Sequence, residues 1–188
     1  MTKRIAVAGK GGTGKTTLSA LLIRYLIEAH PGKSILAVDA DANANLNEAL
    51  GVKVHDTIGT ILEDTKKPNA VPTGMTKDIF IEYRLSQAMV EENAFDLLVM
   101  GNPQGPGCYC YPNDLLKSYL EKLSKNYDFM VIDNEAGLEH LSRRLLPMID
   151  LLLVTSDSTA RGIRSAGRVK DIVEKVQIAV SKMGLVVG

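Results

Sequence analysis

The stretch Gly9-Lys10-Gly11-Gly12-Thr13-Gly14-Lys15-Thr16-Thr17 constrains this chain more than any other. It follows the apolar run Ile5-Ala6-Val7-Ala8 and leads into Leu18-Ser19-Ala20-Leu21-Leu22-Ile23, so a buried strand must end and a helix begin within it. Glycines there let successive backbone N–H groups turn into one hollow, and the helix N-terminus aims its positive end into the same space. That geometry binds phosphate. In the spacing G-x-x-x-x-G-K-[ST], Gly9, Gly11, Gly12, Thr13 and Gly14 form the cradle and Lys15 places a point charge on the β- and γ-phosphates. The Thr16 hydroxyl would coordinate Mg²⁺, and Thr17 would hydrogen-bond further in.

A strand feeding such a loop also limits the fold. Positions 16–29 carry apolar residues at helical spacing, Pro31-Gly32 stops them, and 34–39 reads as a second buried strand, which makes a right-handed βαβ unit with parallel strands. Further buried strands are expected at 95–100, 127–133 and 151–155, with a last one beginning at 185. Helices are expected at 45–50, 57–62, 115–123 and 158–176. The piece Asp78-Ile79-Phe80-Ile81-Glu82 alternates and reads as part of an edge hairpin. The fold class is α/β: a doubly wound, mostly parallel sheet with helices on both faces.

With 188 residues, 45% of them hydrophobic, the chain can bury one core and is too short for two ordinary domains. Its 22 basic and 22 acidic side chains cancel, so no electrostatic footprint argues for nucleic acid or an anionic membrane, and the expected partner is a protein. No apolar run approaches the ~20 residues that span a bilayer, and the N-terminus runs straight into the first strand; a cytoplasmic location is expected.

Acidic residues cluster where the strands end. Asp39 and Asp41 leave the second strand at the edge where open parallel sheets bind ligands. Asp39 or Asn43 could instead cap the short helix at 45–50. Asp133 ends the strand 127–133 and Gly137 follows four residues later; there the carboxylate would hold Mg²⁺ through water and the glycine N–H would sense a γ-phosphate. His140, just beyond, reads as a helix or interface residue.

Lys10 is an addition to the ordinary loop, and GKGGTGKTT resembles the deviant Walker A loop of the MinD, ParA and nitrogenase iron protein superfamily. The resemblance implies ATP as the nucleotide and a homodimer that closes on it, with Lys10 reaching the partner's nucleotide. It makes 39–46 the switch I segment, in which Asp41 orients or activates the attacking water and Asp39 lies near Mg²⁺. The implied catalytic set is Lys10, Lys15 and Asp41.

Both cysteines fall in one tripeptide, Cys108-Tyr109-Cys110, inside a Pro- and Gly-rich loop. Two thiolates are half of a four-ligand site for zinc or nickel, and a two-fold axis through the loop would supply the other half. Together with VDADANANLNEALG and VIDNEAGLEHLSRR, the GCYCYPN loop resembles the CooC-type nickel-insertion ATPases. That resemblance implies Ni²⁺ or Zn²⁺ at Cys108 and Cys110, and carbon monoxide dehydrogenase as the protein client. It also implies that 1–188 is a single P-loop ATPase domain lacking the family's C-terminal portion. Two alternatives are an iron–sulfur electron carrier like the nitrogenase iron protein, whose family places its ligands far apart in sequence, and a metal-free nucleotide switch.

Overall fold

A computed structural model of the chain describes residues 2–102, 110–135 and 148–188, with only the backbone given at 110–113. Among these, seven strands form one sheet: β1 (Lys3–Gly9), β2 (Ile35–Ala40), β3 (Val90–Glu91), β4 (Asp96–Val99), β5 (Phe129–Asn134), β6 (Met148–Ser156) and β7 (Ala179–Val187). Their order is β3-β4-β2-β5-β1-β6-β7, and every pairing is parallel except that of β3 with β4. The mostly parallel, doubly wound architecture expected from the sequence is therefore observed. β1 lies inside the sheet between β5 and β6, so the loop leaving it emerges with strand ends on both sides.

The sheet's two faces follow the two-residue period of its strands. In β1 and β2, Ala6, Ala8, Leu36, Val38 and Ala40 pack into one core with α3 (Ile58–Asp64), α4 (Lys77–Ala88), α5 (Cys110–Leu123) and α6 (Ala160–Lys175). The alternate residues Ile5, Ile35 and Ala37 pack into a second core with Ile23 and Leu26 of α1 (Lys15–Ala29) and Leu46 of α2 (Leu46–Leu50). At about 25 cal/mol per Å² of apolar surface, each large side chain fully buried there stabilises the fold by roughly 1.5–3 kcal/mol.

Three expectations are corrected. Asp78–Glu82 is not an edge hairpin; it lies in α4, where Phe80, Ile81, Leu85 and Ala88 form the buried face and the Thr76 hydroxyl accepts from the Ile79 N–H at 3.4 Å. Five alternating residues also fit a helical face, and the cap decides between the two readings. The antiparallel edge strand is instead the two-residue β3. Second, α5 begins at Cys110 rather than near 115, because Pro112 falls in the first turn, where its missing N–H costs no helical bond. Third, β7 begins at Ala179, six residues before 185; Ser181, Lys182 and Gly184 interrupt the apolar run that would have marked it.

Candidate nucleotide site

The ends of β1, β2, β5 and β6 converge on the loop after Gly9. Gly9 is buried with φ 153°, and a Cβ there would overlap the hydroxyl and the carbonyl oxygen of Thr155 on β6. Only glycine lets the strand turn so close to its neighbour. Lys10, Gly11 and Gly12 follow, all exposed, and Thr13 is half-buried. The Thr13 hydroxyl donates to the Lys10 carbonyl at 2.7 Å and meets the Thr155 hydroxyl at 2.6 Å, so two threonines brace the loop from behind.

Gly14 is the N-cap of α1 in a left-handed conformation (φ 82°), no side chain caps the helix, and its first turn holds no acidic residue. The first N–H groups of α1 are thereby left for an external anion, in the field of the helix dipole. Lys15, first in the helix, is buried and its ammonium donates to the Lys10 carbonyl at 3.3 Å. Burial pulls its pKa below the usual lysine value, opposed by the charges of Asp133, Asp41 and Glu135. Thr17 is exposed in the same turn and lines a groove between α1 and α2.

Three carboxylates stand at the strand ends beside the loop, and two of them, Asp133 and Asp41, act with Glu135 on the Lys15 charge. Asp133 is buried at the end of β5, served by the hydroxyls of Thr16 and Ser19, the latter donating at 3.1 Å. Burial still raises its pKa despite those bonds. Asp39, beside Asp133 in the β2–β5 register, is fully buried; desolvation first, then the charges of Asp133 and Asp41, push it up to about 6 against two backbone hydrogen bonds. Asp41 is half-buried and its Oδ1 accepts from the Asn43 N–H at 2.8 Å. Among the described residues no group of three or more His, Cys, Asp and Glu side chains is arranged to hold a metal by itself. One or two carboxylates plus a threonine hydroxyl and phosphate oxygens are, however, the donor set that suits Mg²⁺, and acids held above their ordinary pKa are relieved by a nearby cation. The residues present fit Mg²⁺ with a nucleoside polyphosphate.

Of the expected site residues, the structure brings together Gly9, Gly11, Gly12, Thr13, Gly14, Lys15, Thr16, Asp39, Asp41 and Asp133, with Lys10 exposed at the rim. Gly137, His140 and Cys108 lie outside the described residues, as does the side chain of Cys110. Sequence reading gave no role to Ser19, Asn134 or Thr155. Ser19 had a signal, since it lies with Lys15, Ile23 and Leu26 on the buried face of α1. Asn134, whose amide donates to the Val7 carbonyl at 2.9 Å, and Thr155 had none, because both depend on strand neighbours distant in the chain.

A family model described as an AAA domain matches residues 2–184. The uncharacterized ATP-binding protein MJ0685 of Methanocaldococcus jannaschii is 45% identical over 177 residues, 93% of this chain and 69% of the relative. This chain belongs to the MinD/ParA family of P-loop ATPases. Within the family it is also similar to the carbon monoxide dehydrogenase accessory protein CooC of Rhodospirillum rubrum, at 30% identity over 187 residues, 93% of this chain and 70% of that one. The fold matches the septum site-determining protein MinD of Pyrococcus horikoshii, solved with Mg-ADP, with a TM-score of 0.69 at 24% identity, over 97% of this chain and 69% of that one. No helix among the described residues is long and apolar enough to cross a membrane.

Proposed function

We propose that this family member is a dimerising Mg-ATPase that binds nickel, or zinc, as cargo at an interfacial Cys108 and Cys110 pair and assists nickel insertion into carbon monoxide dehydrogenase. The observation that carries the ATPase part is the uncapped N-terminus of α1 with Lys15 buried beside Asp133 and Asp41. On binding, Lys15 exchanges its loop carbonyl for phosphate oxygens. The open N–H groups of the loop take up charge on the β-phosphate. Mg²⁺, when bound, neutralises phosphate charge, with the Thr16 hydroxyl and Asp133 as its protein partners and Asp39 nearby. Asp41 orients the attacking water. Lys10, which is exposed and braces its own loop through its carbonyl, extends its side chain to the partner's nucleotide, which makes hydrolysis conditional on dimer closure. The Gly137 N–H reports the γ-phosphate to the segment beyond β5.

The metal part is supported by the Cys-x-Cys spacing and by the CooC relative at 30% identity. Closure on ATP would bring two cysteine pairs together and opening would separate them, so phosphate state and metal state share one coupling free energy. Anaerobic nickel titration with oligomer mass read in parallel tests both parts, with and without ATP, on wild type and the Cys108→Ser, Cys110→Ser double variant. One metal per two chains in wild type and none in the double variant supports the proposal. Equal binding by both, or none by either, defeats the cargo claim and leaves a metal-free nucleotide switch.

A further inference from the structure

The sequence left Asp39 either near Mg²⁺, as the resemblance implies, or capping the short helix at 45–50, and its geometry is that of a clamp. Its side chain is fully buried at the end of β2, a strand held on both sides by β4 and β5. Oδ1 accepts from the Asp41 N–H at 3.0 Å and Oδ2 from the Leu46 N–H at 2.9 Å. One rigid group thus ties both ends of the loop that carries Asp41. Leu46 is the first residue of α2 and wholly buried, while Asn45, at the N-cap, makes no side-chain capping bond. Asp39 therefore does from the strand what an N-cap residue does from the helix.

The loop closes on itself between the two anchors. Besides the Asn43 N–H, Asp41 Oδ1 accepts from the Asn43 side-chain amide at 3.2 Å, and the Ala44 N–H donates to the Asp41 carbonyl at 3.2 Å. Ala44 sits at φ 46°, a left-handed conformation that disfavours a residue with a Cβ and persists where surrounding bonds over-determine the backbone. These bonds hold Asp41 in place within the loop.

We propose that Asp39 is the positioning residue of the hydrolytic site, fixing Asp41 through the backbone of 41–46 rather than holding nucleotide or metal. The claim rests on the ATPase reading above for its catalytic consequence, and on geometry alone for the clamp. Misplacing a catalytic group by about 1 Å can cost on the order of a hundredfold in rate, so a clamp of this kind acts on turnover rather than on binding.

Amide hydrogen exchange on the full chain, without nucleotide or Mg²⁺, is the first test. The Asp41 and Leu46 amides should exchange at least about tenfold more slowly than exposed loop amides such as that of Gly11. Comparable rates overturn the clamp, whether or not any variant folds. In Asp39→Asn, an amide N–H₂ replaces one acceptor. Exchange at the clamped amides should rise and kcat fall about tenfold or more, with KM for ATP and half-saturating Mg²⁺ within about twofold of wild type. A tenfold rise in half-saturating Mg²⁺ with unchanged exchange would make Asp39 a metal contact and overturn the proposal. Faster exchange with unchanged kcat would remove its catalytic consequence. Wild type without ATPase activity would instead defeat the ATPase reading, and the exchange pattern would still report the clamp.

Discussion

Two loops leave the same edge of the sheet and are built on opposite plans. The loop from Gly9 to Lys15 is prepared by what it omits: no Cβ at Gly9, no side-chain cap on α1, no acid in the first turn. Its donors are held open for a ligand. The loop from Asp39 to Leu46 is prepared by what it contains, since Asp39 and Asp41 take up its N–H groups from within. An anion site requires unmet donors, whereas a residue that must orient one water requires a fixed backbone. Both needs are met two strand spacings apart, about 10 Å, because β1, β5 and β2 are consecutive neighbours.

The contrast breaks most sharply under glycine exchange. At Gly9 a methyl group would enter the space of the Thr155 hydroxyl and carbonyl oxygen, and φ 153° is unfavourable for any side chain. Gly9→Ala should therefore destabilise the protein by more than ~3 kcal/mol and abolish detectable nucleotide binding. The reverse exchange in the other loop, Ala44→Gly, relieves a left-handed alanine and should change stability by less than ~1 kcal/mol. Denaturant unfolding of both variants gives the comparison, and equal effects would show that the two loops are not differently constrained.

The next effect is electrostatic. Burial pushes the Asp39 carboxyl up to about 6 in the fold, against an ordinary carboxylate value of 3.8. A raised carboxylate pKa means that the protonated form is favoured on folding, so the associated stability is fully present below the unfolded value and is lost as pH rises through about 6. The full difference amounts to roughly 3 kcal/mol at about 1.36 kcal/mol per unit, most of it falling between about pH 4 and 7. Asp133 is shifted in the same direction. With EDTA present, wild-type stability should fall relative to Asp39→Asn over that window, and Mg-ATP should flatten the decline. A difference that stays level from pH 4 to 7.5 would mean that the buried carboxylate is not strained by its surroundings.

How far the sequence revealed this site follows from where each signal resides. The cradle was legible because its glycines, Lys15 and Thr16 are contiguous, and each acts through its own backbone or local dipole. Asp39, Asp41 and Asp133 were legible as strand-end acids. What Asp39 does was not, because the choice between metal contact and cap depends on where Leu46 is placed, seven residues on. Thr155 and Asn134 were invisible for a stronger reason: their partners, Thr13 and Val7, are brought to them only by the parallel pairing of β1 with β6 and β5. In the fold, the alternating Asp78–Glu82 segment misled because five residues do not separate a period of two from a helical face.

The smallest effect separates backbone from side chain within the switch loop. Asn43 gives Asp41 two donors, its own N–H at 2.8 Å and its amide at 3.2 Å, and it is exposed. If the loop is held by its backbone, removing the side-chain donor in Asn43→Ala leaves the shorter bond and both Asp39 anchors in place. Stability should then change by no more than ~0.5 kcal/mol and kcat by less than about twofold. Water competes well for a bond made at the surface, so its loss costs little. A fall in kcat as large as that of Asp39→Asn would place the orientation of Asp41 in the Asn43 amide, and the clamp would then be an accessory to it.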